Sequence, residues 1–191
     1  LLVKNKNNQS KSDNSSYPKK NGIFISLIKD DLKLVNNFMI SNIKSEVPLI
    51  PLLSEYLLNS GGKRIRPALT ILFSKLLGYN YGVRHINLSA CIEFIHMASL
   101  LHDDVVDKSA LRRGKKTANS IWGNKASVLV GDYLFSKAFQ IMVSDKDLKV
   151  LENLSNASKS LAQGEVMQLS LINNLDINQE QYFKVIEDKT A

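Results

Sequence analysis

Three carboxylates close an otherwise apolar run, Ser89-Ala-Cys-Ile-Glu-Phe-Ile-His-Met-Ala-Ser-Leu-Leu-His-Asp-Asp-Val-Val-Asp107. No Gly or Pro interrupts the run, and its apolar residues recur at helical spacing, which predicts a buried helix. Asp103 and Asp107 are four apart, so on a helix they share one face, about 6 Å apart along the axis. Asp104 points elsewhere. Two carboxylates on one face repel unless a cation sits between them, and burying them unpaired costs several kcal/mol. A wet cavity holding a hard divalent ion resolves both problems. Oxygen ligands suit Mg²⁺, which takes one or two carboxylates and fills its shell with water and phosphate oxygens. Taken alone, Asp-Asp-x-x-Asp fits a solvated helix end equally well.

The remaining candidates are cationic. Ser60-Gly-Gly-Lys-Arg-Ile-Arg-Pro67 joins a sharp backbone turn at Gly61-Gly62 to Lys63, Arg64 and Arg66, with Pro67 suited to the first turn of a helix. These are the parts of a diphosphate-binding site, and equally those of a helix linker with solvated charges. His96 lies seven residues before Asp103, on the same helical face; a core histidine and a ligand-facing one both fit it. His102 lies about 100° round the helix from Asp103 and reads as structural. Lys108–Lys116 packs five cations into nine residues, which brings Arg112 and Arg113 beside any metal-bound anion. Gln168 fits a contact to substrate or metal-bound water, or a core hydrogen bond. Asp132 fits a buried polar contact or a solvated one.

Helices must position these groups. The spacing predicts a first amphipathic helix over 23–43, a break at Pro48 and Pro51, a helix over 52–59, and an apolar helix over 68–77 ending at Gly78. After the central helix the pattern predicts a charged loop over 108–116. An apolar helix over 125–143 follows, interrupted at Gly131 and Asp132. A long helix over 148–171 and a last one from Gln179 complete the chain. No strand pattern stands out.

Composition narrows the classes. The 191 residues are 44% hydrophobic, enough for one globular domain. One cysteine, Cys91, excludes an internal disulfide framework and fits a reducing compartment. No stretch reaches the roughly 18 uninterrupted apolar residues of a membrane span. The net charge of +7 is concentrated at the start, where residues 1–29 hold six lysines against one aspartate. Nucleic-acid binding is therefore disfavoured for the rest of the chain. Residues 1–22 read as a disordered basic tail, and residues 23–191 as one domain. A cytoplasmic location is expected; if the tail is a transit segment, an organelle is the alternative. A His–Asp metal phosphohydrolase would draw on His96, His102 and Asp103, but only three histidines exist and the Gly-Gly-Lys turn would go unexplained.

An acidic metal face, two cationic sites and long apolar helices suit a ligand that is anionic at one end and hydrocarbon along the rest. Gly61-Gly-Lys-Arg-Ile-Arg-Pro67, Glu93-Phe-Ile-His96, Leu100-Leu-His-Asp-Asp-Val-Val-Asp107, Arg112-Arg-Gly114 and Ala126-Ser-Val-Leu-Val-Gly-Asp132 occur in order. In spacing and flanking sequence the chain resembles the trans-polyprenyl diphosphate synthases, particularly the octaprenyl type of bacteria, from about residue 52 to 191. The resemblance implies an all-α bundle around a deep central cavity, usually dimeric. It implies Mg²⁺ on Asp103 and Asp107, with Arg112 on an allylic diphosphate such as farnesyl diphosphate, assisted by Lys189 and Thr190. Lys63, Arg66, His96 and Arg113 would hold isopentenyl diphosphate, and Asp104 would be secondary. The growing product would pass Ala98 and Ser99, whose small side chains imply a long chain; Ala98→Phe is expected to shorten it.

The family's second acidic motif has no counterpart between Asp107 and Ala191. The expectation is therefore the N-terminal part of a longer enzyme, with apolar helix faces uncovered and the activity of the isolated chain in question. The alternative is a truncated or auxiliary subunit that binds diphosphates or a partner synthase without turnover.

Overall fold

The computed structural model describes residues 20–79 and 81–190. The predicted tail lies outside the described residues up to position 19, as does Ala191. The elements run α1 (Lys20–Asn42), α2 (Leu49–Leu58), α3 (Ile65–Leu76), α4 (Arg84–Val106), β1 (Leu111–Arg112), β2 (Lys115–Lys116), α5 (Ala118–Trp122), α6 (Asn124–Asp145), α7 (Leu148–Ser170) and α8 (Gln179–Thr190). The architecture is an all-α bundle with one small hairpin.

α4 is the axis. It packs against α6 on one side and against α1 and α3 on another, while α7 and α8 pair with each other. Its apolar residues face more than one neighbour: Ala90, Phe94, Met97 and Leu101 are all buried, beside Leu134 and Met142 of α6, Met39 of α1 and Ile71 of α3. Burying a side chain such as Phe94 contributes about 1.5–3 kcal/mol. This all-round burial explains why the central run shows no clean polar stripe.

Boundaries differ from the expected ones where proline is involved. α2 begins at Leu49, not 52, with Pro48 as its N-cap and Pro51 inside its first turn. α3 begins at Ile65, with Pro67 in its first turn. A proline there sacrifices only an amide that has no intrahelical partner. α6 is unbroken across Gly131 and Asp132, contrary to the expected interruption. The reason is packing: the His102 ring occupies the space that a Cβ at Gly131 would take.

The segment expected as a loop over 108–116 contains an antiparallel hairpin, Leu111 opposite Lys116 and Arg112 opposite Lys115. Two residues per strand are too few for alternation to show in sequence. The turn is Arg113-Gly114, both with positive φ (53° and 77°), as a two-residue type I′ turn requires.

One ionic cluster ties the far end of α4. Arg84 donates to Asp145 at 2.7 Å through both Nε and Nη2, and to Asp147 at 2.6 Å. Asp147 also caps α7 by accepting from the Lys149 and Val150 amides. α6 alone among the described helices is long and apolar enough to cross a membrane by length and composition, yet 39% of that window is buried inside the bundle, as befits a core helix.

Candidate active site

The acidic end of α4 is a concentration of like charge at an unfavourable place. Asp103, Asp104 and Asp107 sit at the helix C-terminus, where the macrodipole is negative. Only one of the three is neutralised. Asp104 is 2% exposed and receives Arg112 side-on, Nε at 3.0 and 3.2 Å and Nη2 at 2.8 Å. No hydrogen bond or ion pair closes on the Asp103 or Asp107 side chain among the described residues. Burial and the nearby Glu165 push the Asp103 carboxyl up to about 6, with Lys189 pulling the other way. Two unpaired carboxylates one turn apart, one of them half-buried, form a donor set that fits a hard divalent cation keeping several water or phosphate ligands.

A set of cations gathers around His96, two turns earlier on the same helix. The chain turns at Gly61, whose φ is +84°. Gly62 is held so close to the hairpin tip that a Cβ there would lie 2.7 Å from Arg113 Nη1. Arg113 also donates to the Gly61 carbonyl. Lys115 Nζ reaches the Asn59 carbonyl at 3.1 Å, and the Tyr56 hydroxyl donates to the Lys116 carbonyl at 2.6 Å. These contacts dock the hairpin on the glycine turn. Between them opens a cavity of about 700 Å³ lined by Lys63, Arg66, His96 and Arg113. Lys63 and Arg66 side chains have no carboxylate partner among the described residues. Arg64 differs: in the left-handed conformation (φ 49°), it pairs with Glu93 at 2.5 Å and donates to the Leu58 carbonyl at 2.9 Å. Burial, reinforced by Arg66, Arg113, Arg112 and Arg64, lowers His96 to about 4. At neutral pH it is an uncharged hydrogen-bonding ring amid positive charge.

A second cavity of about 540 Å³ shares His96 and Arg66 with the first. Ile92, Ile95 and Ser99 of α4 line it, facing Leu161 of α7 and Lys189 of α8. Lys189 Nζ lies 2.7 Å from Glu165 Oε1 and donates to Gln168 Oε1 at 3.0 Å. α8 approaches because α7 has glycine at the crossing: a Cβ on Gly164 would stand 2.8 Å from the Lys189 backbone nitrogen.

The structure thus brings Lys63, Arg66, His96 and Arg113 around one cavity, and Ser99 and Lys189 around the next. Asp103, Asp107 and Arg112 line neither. Thr190 belongs to α8, but its side chain lies outside the described residues. The pair expected along the product path is divided. Ser99 faces the cavity, whereas Ala98 is 1% exposed and packed in the core, because neighbours on a helix point about 100° apart. Ser99 alone of the two therefore faces a cavity. Sequence reading missed the Arg64–Glu93 and Asp104–Arg112 pairs and Glu165. Glu165 and Gln168 stand three apart on one helix face, a signal that was present for the pair.

The Polyprenyl synthetase family model matches residues 47–191. The chain belongs to the polyprenyl synthetase family. It is 50% identical over 165 residues to the octaprenyl diphosphate synthase of Escherichia coli (strain K12), covering 86% of this chain and 51% of that one. The all-trans-nonaprenyl-diphosphate synthase (geranyl-diphosphate specific) of Rhodobacter capsulatus is 37% identical over 164 residues, covering 86% and 50%. Among solved structures, a decaprenyl diphosphate synthase from Rhodobacter capsulatus superposes with a TM-score of 0.84 at 45% identity, covering 88% of this chain and 52% of that one. A polyprenyl synthase from Caulobacter crescentus CB15, complexed with calcium and isoprenyl diphosphate, gives 0.83 at 44%, covering 87% and 50%. This polyprenyl synthetase family member therefore has the isoprenoid-synthase helical fold, and spans about half the length of the curated relatives it matches.

Proposed function

We propose that the chain supplies the diphosphate-binding part of a trans-prenyltransferase, which condenses isopentenyl diphosphate with an allylic diphosphate such as farnesyl diphosphate to make a long, octaprenyl-like product. The observation that carries this reading is the cavity of Lys63, Arg66, Arg113 and neutral His96, whose cations have no carboxylate partner among the described residues, with His96 on the same helix that ends in the unpaired Asp103 and Asp107. Lys63, Arg66 and Arg113 would hold the isopentenyl diphosphate, with His96 donating a neutral hydrogen bond. Arg112 and Lys189 would meet the allylic diphosphate. Asp103 and Asp107 would hold Mg²⁺, which would supply charge to offset the departing pyrophosphate. Condensation breaks the allylic C–O bond, forms a C–C bond from the isopentenyl double bond to the allylic carbon, and passes a proton to the released pyrophosphate. The apolar walls of Ile92, Ile95 and Leu161 keep water from that cation and receive the tail.

Two comparisons support the finer points: the Caulobacter enzyme carries a divalent cation with isoprenyl diphosphate, and the Escherichia coli relative is named for an octaprenyl product. The reading includes a homodimer, since α6 leaves Leu129, Phe139 and Val143 uncovered at 67, 44 and 58% exposure, and a reducing, cytoplasmic setting for the free Cys91. No observation favours the auxiliary-subunit alternative. Calorimetric titration of the chain with isopentenyl diphosphate, and with a non-ionising farnesyl thiolodiphosphate plus Mg²⁺, tests it. Binding of both, the second dependent on Mg²⁺, is expected, followed by elongation of farnesyl diphosphate. Absence of either binding event at millimolar ligand overturns the reading.

A further inference from the structure

The middle carboxylate of the acidic motif faces away from the other two. Asp104 is 2% exposed, and all three of its side-chain hydrogen bonds come from one guanidinium. Arg112 uses its Nε–Nη2 edge for this pair. Its Nη1 donates no hydrogen bond among the described residues, so one end of the fork stays open.

The local fold fixes this pair from both sides. The Ser109 amide bonds the Asp104 carbonyl at 2.9 Å, and Asn119 Nδ2 bonds the same oxygen at 3.1 Å. Thr117 closes the base of the hairpin by donating from its hydroxyl to the Ser109 carbonyl at 2.6 Å and from its amide to the Ala110 carbonyl at 3.0 Å. β1 therefore leaves the end of α4 at a set angle, with Arg112 over Asp104. Left alone, a long arginine side chain samples many rotamers. A side-on pair with a buried carboxylate removes most of that freedom before any ligand arrives. The guanidinium is then presented with the geometry that suits a phosphate oxygen pair.

We propose that Asp104 is a positioning residue: it acts on the allylic diphosphate through Arg112, by holding the guanidinium side-on and leaving its Nη1 free to donate to the ligand. This rests on the function proposed above and deepens it.

The experiment separates metal from ligand binding. Mn²⁺ affinity is measured by electron paramagnetic resonance, and affinity for farnesyl thiolodiphosphate in Mg²⁺ by calorimetry, for the wild type, Asp104→Asn, Asp104→Glu, Arg112→Lys and the Asp104→Asn/Arg112→Lys double variant. The expected result is unchanged Mn²⁺ affinity in every variant, a roughly tenfold loss of analogue affinity in Asp104→Asn and in Arg112→Lys, and no further loss in the double variant. Asp104→Glu keeps the buried ion pair, so it stays folded if Asp104→Asn does not; it is expected to lose analogue affinity by moving the fork one methylene. A fall in Mn²⁺ affinity at Asp104→Asn or Asp104→Glu makes Asp104 a metal ligand and overturns the proposal. So does analogue binding equal to wild type in folded Asp104→Glu, or losses that add in the double variant. If the wild type itself binds no analogue, the function proposed above fails, and this proposal falls with it.

Discussion

Asp103 and His96 shift in opposite directions, and acid therefore acts on them with opposite sign. The Asp103 carboxyl is raised to about 6. Its neutral form favours the fold below the ordinary aspartate value of 3.8, and that contribution disappears as pH rises through about 6. Asp103→Asn should consequently raise stability by about 1–3 kcal/mol at pH 7.5 and leave it unchanged near pH 3, read by calorimetric melting. In the wild type, divalent cation affinity should climb as pH passes about 6, because the ligand must be ionised; a flat profile between pH 5 and 7 would count against Asp103 as a ligand. His96, lowered to about 4, supports the fold above its ordinary value of 6.5, and this support is lost as pH falls toward 4. His96→Gln should remove that acid-side slope, which a melting series from pH 7 to 4 would show. Glu165 raises Asp103, so Glu165→Gln should move the Asp103 midpoint downward, measurable by carbon NMR of the carboxyl.

At the scale of the element, one helix position decides between cavity and core. Ser99 lines the smaller cavity and Ala98 packs against the core. Ser99→Phe is therefore the substitution that should block the cavity and shorten the product ladder. Ala98→Phe should instead overpack the core, at about 1–3 kcal/mol in a urea melt. Equal effects on product length from both would show that the helix face is misassigned. Gly164 governs how near α8 comes to α7. A Cβ there meets the backbone at Lys189 and Asp188 at 2.8 and 3.0 Å. Backbone gives way less readily than a side chain, so Gly164→Ala should destabilise the α7–α8 pair by about 1–3 kcal/mol. Amide exchange should quicken in α8 first. The existence of these helices was legible from periodicity, as was the alignment of Asp103, Asp107 and His96. The hairpin was not, because two-residue strands carry no alternation. The side of Ala98 was not, because α4 is buried nearly all round and so offers no polar face to orient it.

The whole molecule presents more apolar surface than its own packing covers. Leu76 at the end of α3 and Leu77 just beyond it are 77 and 83% exposed, and the α6 stripe of Leu129, Phe139 and Val143 is open as well. Such faces ask for a neighbour. If the α6 stripe meets a second copy, Phe139→Lys should shift sedimentation toward the monomer, while the helical circular dichroism signal stays the same. Motifs far apart in the chain were each readable because each has a fixed local geometry. The hairpin then meets the glycine turn through Arg113 on Gly61 and the helix end through Arg112 on Asp104, contacts that no local pattern encodes.

His96 has a consequence that neither cavity has alone. The same imidazole is a party wall between the two chambers. A guest that tilts the ring from one side reshapes the room on the other. Linkage makes such conversation symmetrical: whatever factor the first guest imposes on the second, the second imposes on the first. Arg66 lines both chambers as well, so the partition through which such coupling would pass is a pair of side chains.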